Sequence, residues 1–155
     1  MTAKTTADAE GEMNDYDVLK LENQLCFPLY AASREVIKRY KPFLDPLGLT
    51  YTQYIAMMVL WDCRKMSVKD LGEKLFLDSG TLTPLLKKLE AQGYITRLRS
   101  EEDERVLIVE TTPKGRRLRE KAVDVPQKVG CCVKLTSDET QKLYTLLYKL
   151  LGTME

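Results

Sequence analysis

The amino-acid sequence predicts a mainly α-helical chain that carries one small β-hairpin. Leucines recur at helical spacing through most of the 155 residues. Residues 94–99 and 105–111 depart from this period, because branched residues are frequent in both and an acidic turn joins them. Apolar residues make up 44% of the composition, which is enough to bury a core in a chain of this length.

Composition excludes several kinds of site. The chain has no histidine, which rules out Ser–His and Cys–His catalytic pairs and histidine metal ligands. No C-x-x-C pair occurs among its four cysteines, so neither a metal nor another cofactor is predicted. These cysteines are Cys26, Cys63, Cys131 and Cys132. The net charge of +1 does not indicate a nucleic-acid partner, so any DNA-binding surface must be a local one.

The sequence also bears on location. It contains no apolar run of the roughly 20 residues that a membrane-spanning helix needs. Residues 1–16 are polar and acidic, which is unlike a signal peptide and predicts a flexible N-terminal tail. We therefore expect a cytoplasmic protein, in which thiols are normally kept reduced.

The first two predicted helices cover residues 19–40 and 52–62. Apolar residues of the first form one stripe, made of Leu21, Leu25, Leu29, Ala32, Val36 and Ile37. Pro28 lies inside this pattern and predicts a kink that frees the carbonyl of Gln24. In the second helix the residues expected to point inward are Ile55, Met58 and Val59. Residues 17–48 are predicted to form a dimerisation region.

Two short helices joined by a tight turn are predicted next. Ser67 caps the first, with the carboxylate of Asp70 three residues later. Asp78 or Ser79 caps the second, and Gly93 ends it. The apolar residues at helical spacing are Leu71, Leu75, Leu82, Leu85, Leu86 and Leu89. This order of elements is a helix-turn-helix unit.

The β-hairpin directly follows this unit, in the position of a wing. Residues 49–112 are therefore predicted to form a winged helix-turn-helix domain. Thr112 and Pro113 open a further helix, because proline suits the first helical position. That helix contains Leu118 and Ala122, is disturbed at Pro126 and ends near Gly130.

A last helix completes the prediction. It is capped by Thr136 or Ser137 and carries Leu143, Leu146, Leu147 and Leu150. The first helix and the helices of residues 113–155 have more apolar surface than a small winged domain can cover. A homodimer in which residues 113–155 supply further dimerisation helices explains that surface most simply.

Between residues 21 and 150 the sequence resembles the MarR family of transcriptional regulators, and within it the organic-hydroperoxide-sensing repressors. Four segments carry the resemblance. They are LENQLCF at 21–27, GLTYTQY at 48–54, LDSGTLTPL at 77–85 and RSEEDER at 99–105. The resemblance implies a DNA-binding repressor rather than an enzyme, acting as a homodimer on double-stranded DNA with organic hydroperoxides as inducers.

The second helix of the unit is the expected recognition helix. Its early hydroxyl residues Ser79, Thr81 and Thr83 would meet base edges and phosphates in the major groove. Lys87 and Lys88 would face phosphates, although periodicity alone supports an ordinary solvated face equally well. A two-fold dimer would require a nearly palindromic operator.

The resemblance extends this interface to the wing. It implies that Arg105 enters the minor groove, where a narrow groove concentrates negative potential. Asp103 or Asp78 is expected to orient that guanidinium through a charge-assisted hydrogen bond. Arg97 and Arg99 are expected to contact the DNA backbone.

The resemblance also implies a sensing site at Cys26. A buried free cysteine is usually only a small core residue, but in the family the matching cysteine is the peroxide target. It is hydrogen-bonded there by two tyrosines of the partner subunit that match Tyr40 and Tyr51. Tyr30, one turn beyond Cys26, is a further neighbour, and apolar neighbours such as Phe27 would favour organic over inorganic peroxides.

A second thiol is expected to complete the switch. In the two-cysteine class of the family a resolving cysteine matches Cys131, with Cys132 as the substitute, and forms an intersubunit disulfide after oxidation. The disulfide would change the spacing of the recognition helices. Pro28 and Pro126 are expected to ease this movement, and Cys63 is expected in the core.

Two other functions compete with this hypothesis. A MarR-type repressor induced by a small aromatic acid would need no cysteine chemistry. A thiol peroxidase would need a charged residue beside the thiolate, and the sequence shows none near Cys26. The response of a Cys26→Ser variant to peroxide separates these alternatives.

Overall fold

The computed structural model describes residues 16–152, so the predicted tail at 1–16 lies almost wholly outside the described residues. The α-helices are α1 Cys26–Leu44, α2 Tyr51–Cys63, α3 Val68–Leu75, α4 Ser79–Ala91, α5 Pro113–Ala122, α6 Val125–Gly130 and α7 Ser137–Gly152. The strands are β1 Lys65–Ser67, β2 Ile95–Arg99 and β3 Leu107–Thr111, and short 3-10 turns occur at Asp17–Leu19, Leu21–Asn23 and Asp45–Leu47. Contacts divide the chain into two units, Met1–Val36 and Ile37–Glu155.

The predicted mainly helical fold with a small hairpin is confirmed. β2 and β3 pair antiparallel in a register that sets Ile95 opposite Thr111 and Arg99 opposite Leu107. The sheet order is β1-β3-β2, with β1 adding a third antiparallel strand that the sequence analysis missed. Three residues are too few for an alternating pattern, so β1 is defined only by its pairing with β3.

The core lies within the second unit and is built mainly from leucines of the winged domain. Its largest fully buried side chains are Leu44, Met57, Leu60, Leu71, Leu82, Leu86, Leu89, Ile95 and Val109. Leu118 and Ala122 of α5 are buried with them. The helix-turn-helix and the wing therefore share one hydrophobic core, which holds them in a defined arrangement.

Side-chain caps begin the helices where the sequence predicted them. The side chains of Ser67, Asp78 and Thr112 each accept a hydrogen bond from the amide three residues later. Thr136 caps α7 through a capping box, because the Glu139 carboxylate also accepts from the Thr136 amide at 2.8 Å. Gly93 has a φ of +73°, which is the left-handed conformation expected of a residue that ends α4.

The predicted kink at Pro28 is wrong. The helix starts at Cys26 rather than near residue 19, so Pro28 lies in its first turn, where a missing amide leaves no intrahelical hydrogen bond unmade. The carbonyl of Gln24 is not freed either, since it accepts from the Phe27 amide at 3.3 Å. Pro126 does mark a break as predicted, because α5 ends at Ala122 and α6 carries this proline at its second residue.

Two predicted core positions are also wrong. Met58 is 44% exposed, and Cys63 at the end of α2 is exposed rather than buried. α2 is apolar on nearly all sides, so its sequence alone does not indicate which face is covered.

Two non-glycine residues within the described part of the chain have positive φ. Arg64 follows α2 with φ +63°, and Phe76 follows α3 with φ +53° and ψ +41°. The left-handed conformation costs an L-amino acid other than glycine about 1–2 kcal/mol. Phe76 therefore adopts a strained backbone conformation in the turn of the helix-turn-helix.

Candidate DNA interface and thiol site

α4 has one buried and one exposed face. Its leucines pack into the core, whereas the hydroxyl and lysine residues predicted to meet DNA are all exposed. These exposed residues are Ser79, Thr81, Thr83, Lys87 and Lys88. The structure therefore brings them together on one accessible helix face, in the arrangement that a recognition helix requires.

Asp78 organises the start of this helix. Its carboxylate accepts from the Thr81 amide at 2.8 Å and from the Thr81 hydroxyl at 2.9 Å. These hydrogen bonds lower the pKa of Asp78, because they favour the charged carboxylate. Asp78 is thus engaged in the α4 cap, and Thr81 directs its hydroxyl proton to that cap.

An ion pair connects the wing to the recognition helix. Arg97 of β2 donates to one carboxylate oxygen of Glu90 on α4, from Nε at 2.9 Å and from Nη2 at 2.5 Å. This guanidinium lowers the pKa of Glu90 through its hydrogen bonds and its charge, so Glu90 stays ionised to lower pH. Arg97 was predicted to contact DNA, whereas the contact that the structure shows braces the wing against α4.

The wing loop is shaped by its own residues. Arg99 donates from Nη1 to the main-chain carbonyl of Glu104 at 2.5 Å, and Ser100 donates its amide to the carbonyl of Val106 at 2.8 Å. Asp103 accepts from the main-chain amide of Arg105 at 2.9 Å, rather than from its guanidinium as predicted. Arg105 itself is exposed on this loop.

Cys26 is exposed and is the first residue of α1. Phe27 and Tyr30 beside it are 41% and 57% exposed. Arg34 donates to the Tyr30 hydroxyl at 2.7 Å, and its guanidinium carbon lies 5.5 Å from the centre of the Tyr30 ring. The sequence analysis missed this cation, although the spacing of four residues places Arg34 on the same helix face as Tyr30.

The two tyrosines predicted to contact the thiol lie next to each other in the second unit. The ring centres of Tyr40 and Tyr51 are 4.8 Å apart, and Tyr54 is 6.0 Å from Tyr40. Burial raises the pKa of Tyr51, and the nearby Tyr40 raises it further. Like any tyrosine with a pKa at or above its ordinary value, Tyr51 keeps its phenolic proton at neutral pH and is a hydrogen-bond donor.

The remaining thiols lie at the ends of helices. Cys131 and Cys132 are exposed in the turn after α6, where the Cys131 amide donates to the Gln127 carbonyl at 3.1 Å. The thiol of Cys132 faces the Lys128 carbonyl at 3.6 Å. Cys63 donates its thiol proton to the Val59 carbonyl at 3.1 Å.

Residues 16–152 lack both a metal-binding cluster and a membrane-spanning helix. No cluster of three or more histidine, cysteine or acidic residues among them could hold a metal ion. None of their helices is long and apolar enough to cross a membrane.

A helix-turn-helix followed by a β-hairpin, with a polar and basic recognition face, defines a winged-helix DNA-binding protein. Known proteins of similar sequence support this assignment. The profile of the SarA/Rot transcriptional regulators matches residues 38–122. The organic hydroperoxide resistance transcriptional regulator of Bacillus subtilis is 52% identical, over 91% of this chain and 96% of its own length. The transcriptional regulator SarZ of Staphylococcus epidermidis is 48% identical, over 79% and 83%.

Solved structures extend the comparison. Reduced AbfR bound to DNA, a protein of Staphylococcus epidermidis, is 33% identical with a TM-score of 0.75, over 89% of this chain and 94% of that one. The disulfide form of AbfR, at 34% identity and the same coverage, has a TM-score of 0.60. The chain therefore belongs to the MarR family, among the relatives of the organic hydroperoxide resistance regulators. It is a DNA-binding transcriptional regulator and not an enzyme.

Proposed function

We propose that this regulator is a homodimeric, cytoplasmic repressor that leaves a nearly palindromic operator when an organic hydroperoxide oxidises Cys26. The observation that carries the proposal is the exposure of Cys26 at the start of α1, beside a tyrosine bound to an arginine. The relatives support it: the Bacillus subtilis protein is named for organic hydroperoxide resistance, and AbfR has been solved in reduced and disulfide forms.

The proposed chemistry has two steps. The Cys26 thiolate attacks the terminal peroxide oxygen, the O–O bond breaks, and a cysteine sulfenic acid and an alkoxide result. The alkoxide takes up the proton released when Cys26 ionised and leaves as an alcohol. The thiol of the partner's Cys131 then displaces the sulfenic hydroxyl as water and forms an intersubunit disulfide. Cys132 is the alternative second thiol.

Phenols would support the first step. The partner's Tyr40 and the partner's Tyr51 would donate hydrogen bonds to the Cys26 thiolate and so stabilise the anion. The exposed ring of Phe27 would offer apolar surface to the alkyl group of the peroxide.

Exposed apolar surface supports the proposed dimer. α7 contains no buried residue, although leucines and tyrosines line it. The exposed large apolar residues near the two ends of the described chain include Leu25, Leu29, Val36, Leu143, Tyr144, Leu146, Tyr148 and Leu151. Apolar residues in such numbers on exposed helices mark a protein–protein interface.

Oxidation itself provides the first test. On an operator duplex, cumene hydroperoxide is expected to abolish the gel shift of the wild-type protein and to produce a covalent dimer on a non-reducing gel. Cys131→Ser should lose the covalent dimer, whereas Cys132→Ser should keep it if Cys131 resolves. Unchanged operator binding under hydroperoxide, with release by a small aromatic acid, would instead support the ligand-induced repressor.

Salt dependence tests the α4 interface. Lys88→Ala is expected to reduce the slope of log K against log salt by about 0.9 per phosphate contact, hence about 1.8 for a dimer. Fluorescence anisotropy at several salt concentrations measures this slope. Lys121→Ala removes the same charge from α5, outside the winged helix-turn-helix, and should leave the slope unchanged. Equal slopes for both variants would exclude Lys88 as a phosphate contact.

A further inference from the structure

The turn of the helix-turn-helix contains a structural motif that normally ends in glycine. The Leu77 amide donates to the Gly72 carbonyl at 2.9 Å, and the Phe76 amide donates to the Glu73 carbonyl at 3.2 Å. This pair of hydrogen bonds is the Schellman motif, in which Phe76 occupies the left-handed position. Glycine is favoured at that position, and helix-turn-helix turns often contain one. The turn needs a left-handed residue at this position, and glycine would supply it without strain. The geometry of the turn therefore does not explain why residue 76 is a phenylalanine.

Packing within the chain does not explain the phenylalanine either. Its side chain is 62% exposed. Leu75 and Leu77 on either side pack against the hydrophobic core, whereas Phe76 is not part of that packing. Single exposed apolar residues are common, but one held in a strained backbone conformation points to a function rather than to packing.

The position of Phe76 identifies the partner. It lies two residues before Asp78, the cap of α4, at the end of the recognition helix that enters the major groove. We infer that Phe76 is an apolar DNA contact, whose ring lies against deoxyribose of the operator backbone at the groove edge and positions α4. The inference rests on the proposed placement of α4 in the groove. Because deoxyribose is the same at every nucleotide, the Phe76 contact would not depend on base sequence.

Three substitutions at this position test the inference. Phe76→Gly and Phe76→Asn relieve the strained conformation and remove the ring, and Phe76→Tyr keeps the ring. We expect the first two to raise Tm by about 2–4 °C, because the turn accepts them more readily. We expect both to bind operator and non-operator duplexes about tenfold more weakly, as lost apolar burial predicts. Phe76→Tyr should bind like the wild type.

The salt slope separates this contact from a charged one. Phe76→Gly should weaken binding with an unchanged slope, since no phosphate contact is lost. Wild-type affinity in Phe76→Gly would overturn the inference, and so would an equal loss in Phe76→Tyr. A Tm that falls and becomes dependent on protein concentration would overturn it by assigning the ring to a subunit interface. The slope of Lys88→Ala tests the placement of α4 independently, so the two failures are distinguishable.

Discussion

Cys26→Ser protein is expected to remain on the operator at hydroperoxide concentrations that release the wild type. Serine preserves the size of the side chain and the start of α1, but its hydroxyl is not ionised at neutral pH and does not attack a peroxide. Allosteric coupling typically changes affinity by about 5–150-fold, so oxidation should lower wild-type affinity within that range and leave the variant unchanged. Anisotropy titrations with and without cumene hydroperoxide measure the difference.

Cys63→Ser is the matched control. Cys63 is exposed like Cys26, but its thiol donates to the Val59 carbonyl at the end of α2. This variant should be released like the wild type. Release of Cys26→Ser together with retention of Cys63→Ser would transfer the sensing role to α2 and contradict the proposed mechanism.

Gly115→Ala is expected to lower the free energy of unfolding by about 3 kcal/mol or more, which is the upper end of the range for overpacked cores. A Cβ atom at Gly115 would overlap the carbonyl oxygen of Tyr94 and would lie 3.0 Å from its carbonyl carbon. Both are main-chain atoms, and the Thr112 amide donates to the same oxygen at 3.0 Å, so Tyr94 cannot move freely. α5 would be displaced from the start of the wing, together with the Trp61 indole that donates to the Gly115 carbonyl at 2.8 Å.

Urea unfolding followed by circular dichroism measures this loss, with Gly130→Ala as the control. Gly130 is the last residue of α6, and nothing lies within 4 Å of an added Cβ. Alanine there should be neutral or stabilise by up to about 1 kcal/mol through helix propensity. If the two variants unfolded at similar urea midpoints, the main chain of α5 and Tyr94 would be able to move apart at little cost, which would contradict this prediction.

Much of the fold followed from local chemistry. Ser67, Asp78, Thr112 and Thr136 start helices because each side chain satisfies an amide only a few residues away, and such signals are visible in sequence. Gly93 ends α4 for an equally local reason. The wing was predicted from an equally local signal, the change from a helical to a strand pattern of apolar residues.

The predictions that were wrong or missing concern features that local signals in the sequence do not determine. Cys63 is exposed because of how α2 packs, and a helix that is apolar on most sides does not reveal its covered face. β1 exists only through pairing with β3, about 43 residues later. Pro28 does not kink α1 because this helix starts seven residues later than predicted, and the start of a helix is only weakly marked in sequence.

In the candidate site, too, some features follow from local sequence and others only from tertiary packing. The residue types on the exposed side of α4 were evident from residue identity and helical spacing, since both act over one or two turns. The exposure of the Cys63 thiol was not evident in this way. Folding alone decided that Arg97 pairs with Glu90, that Tyr40 lies against Tyr51, and that Gly115 must lack a side chain. Each of these depends on how two different elements approach each other, and such distances are set by packing of the core rather than by the preference of either element alone.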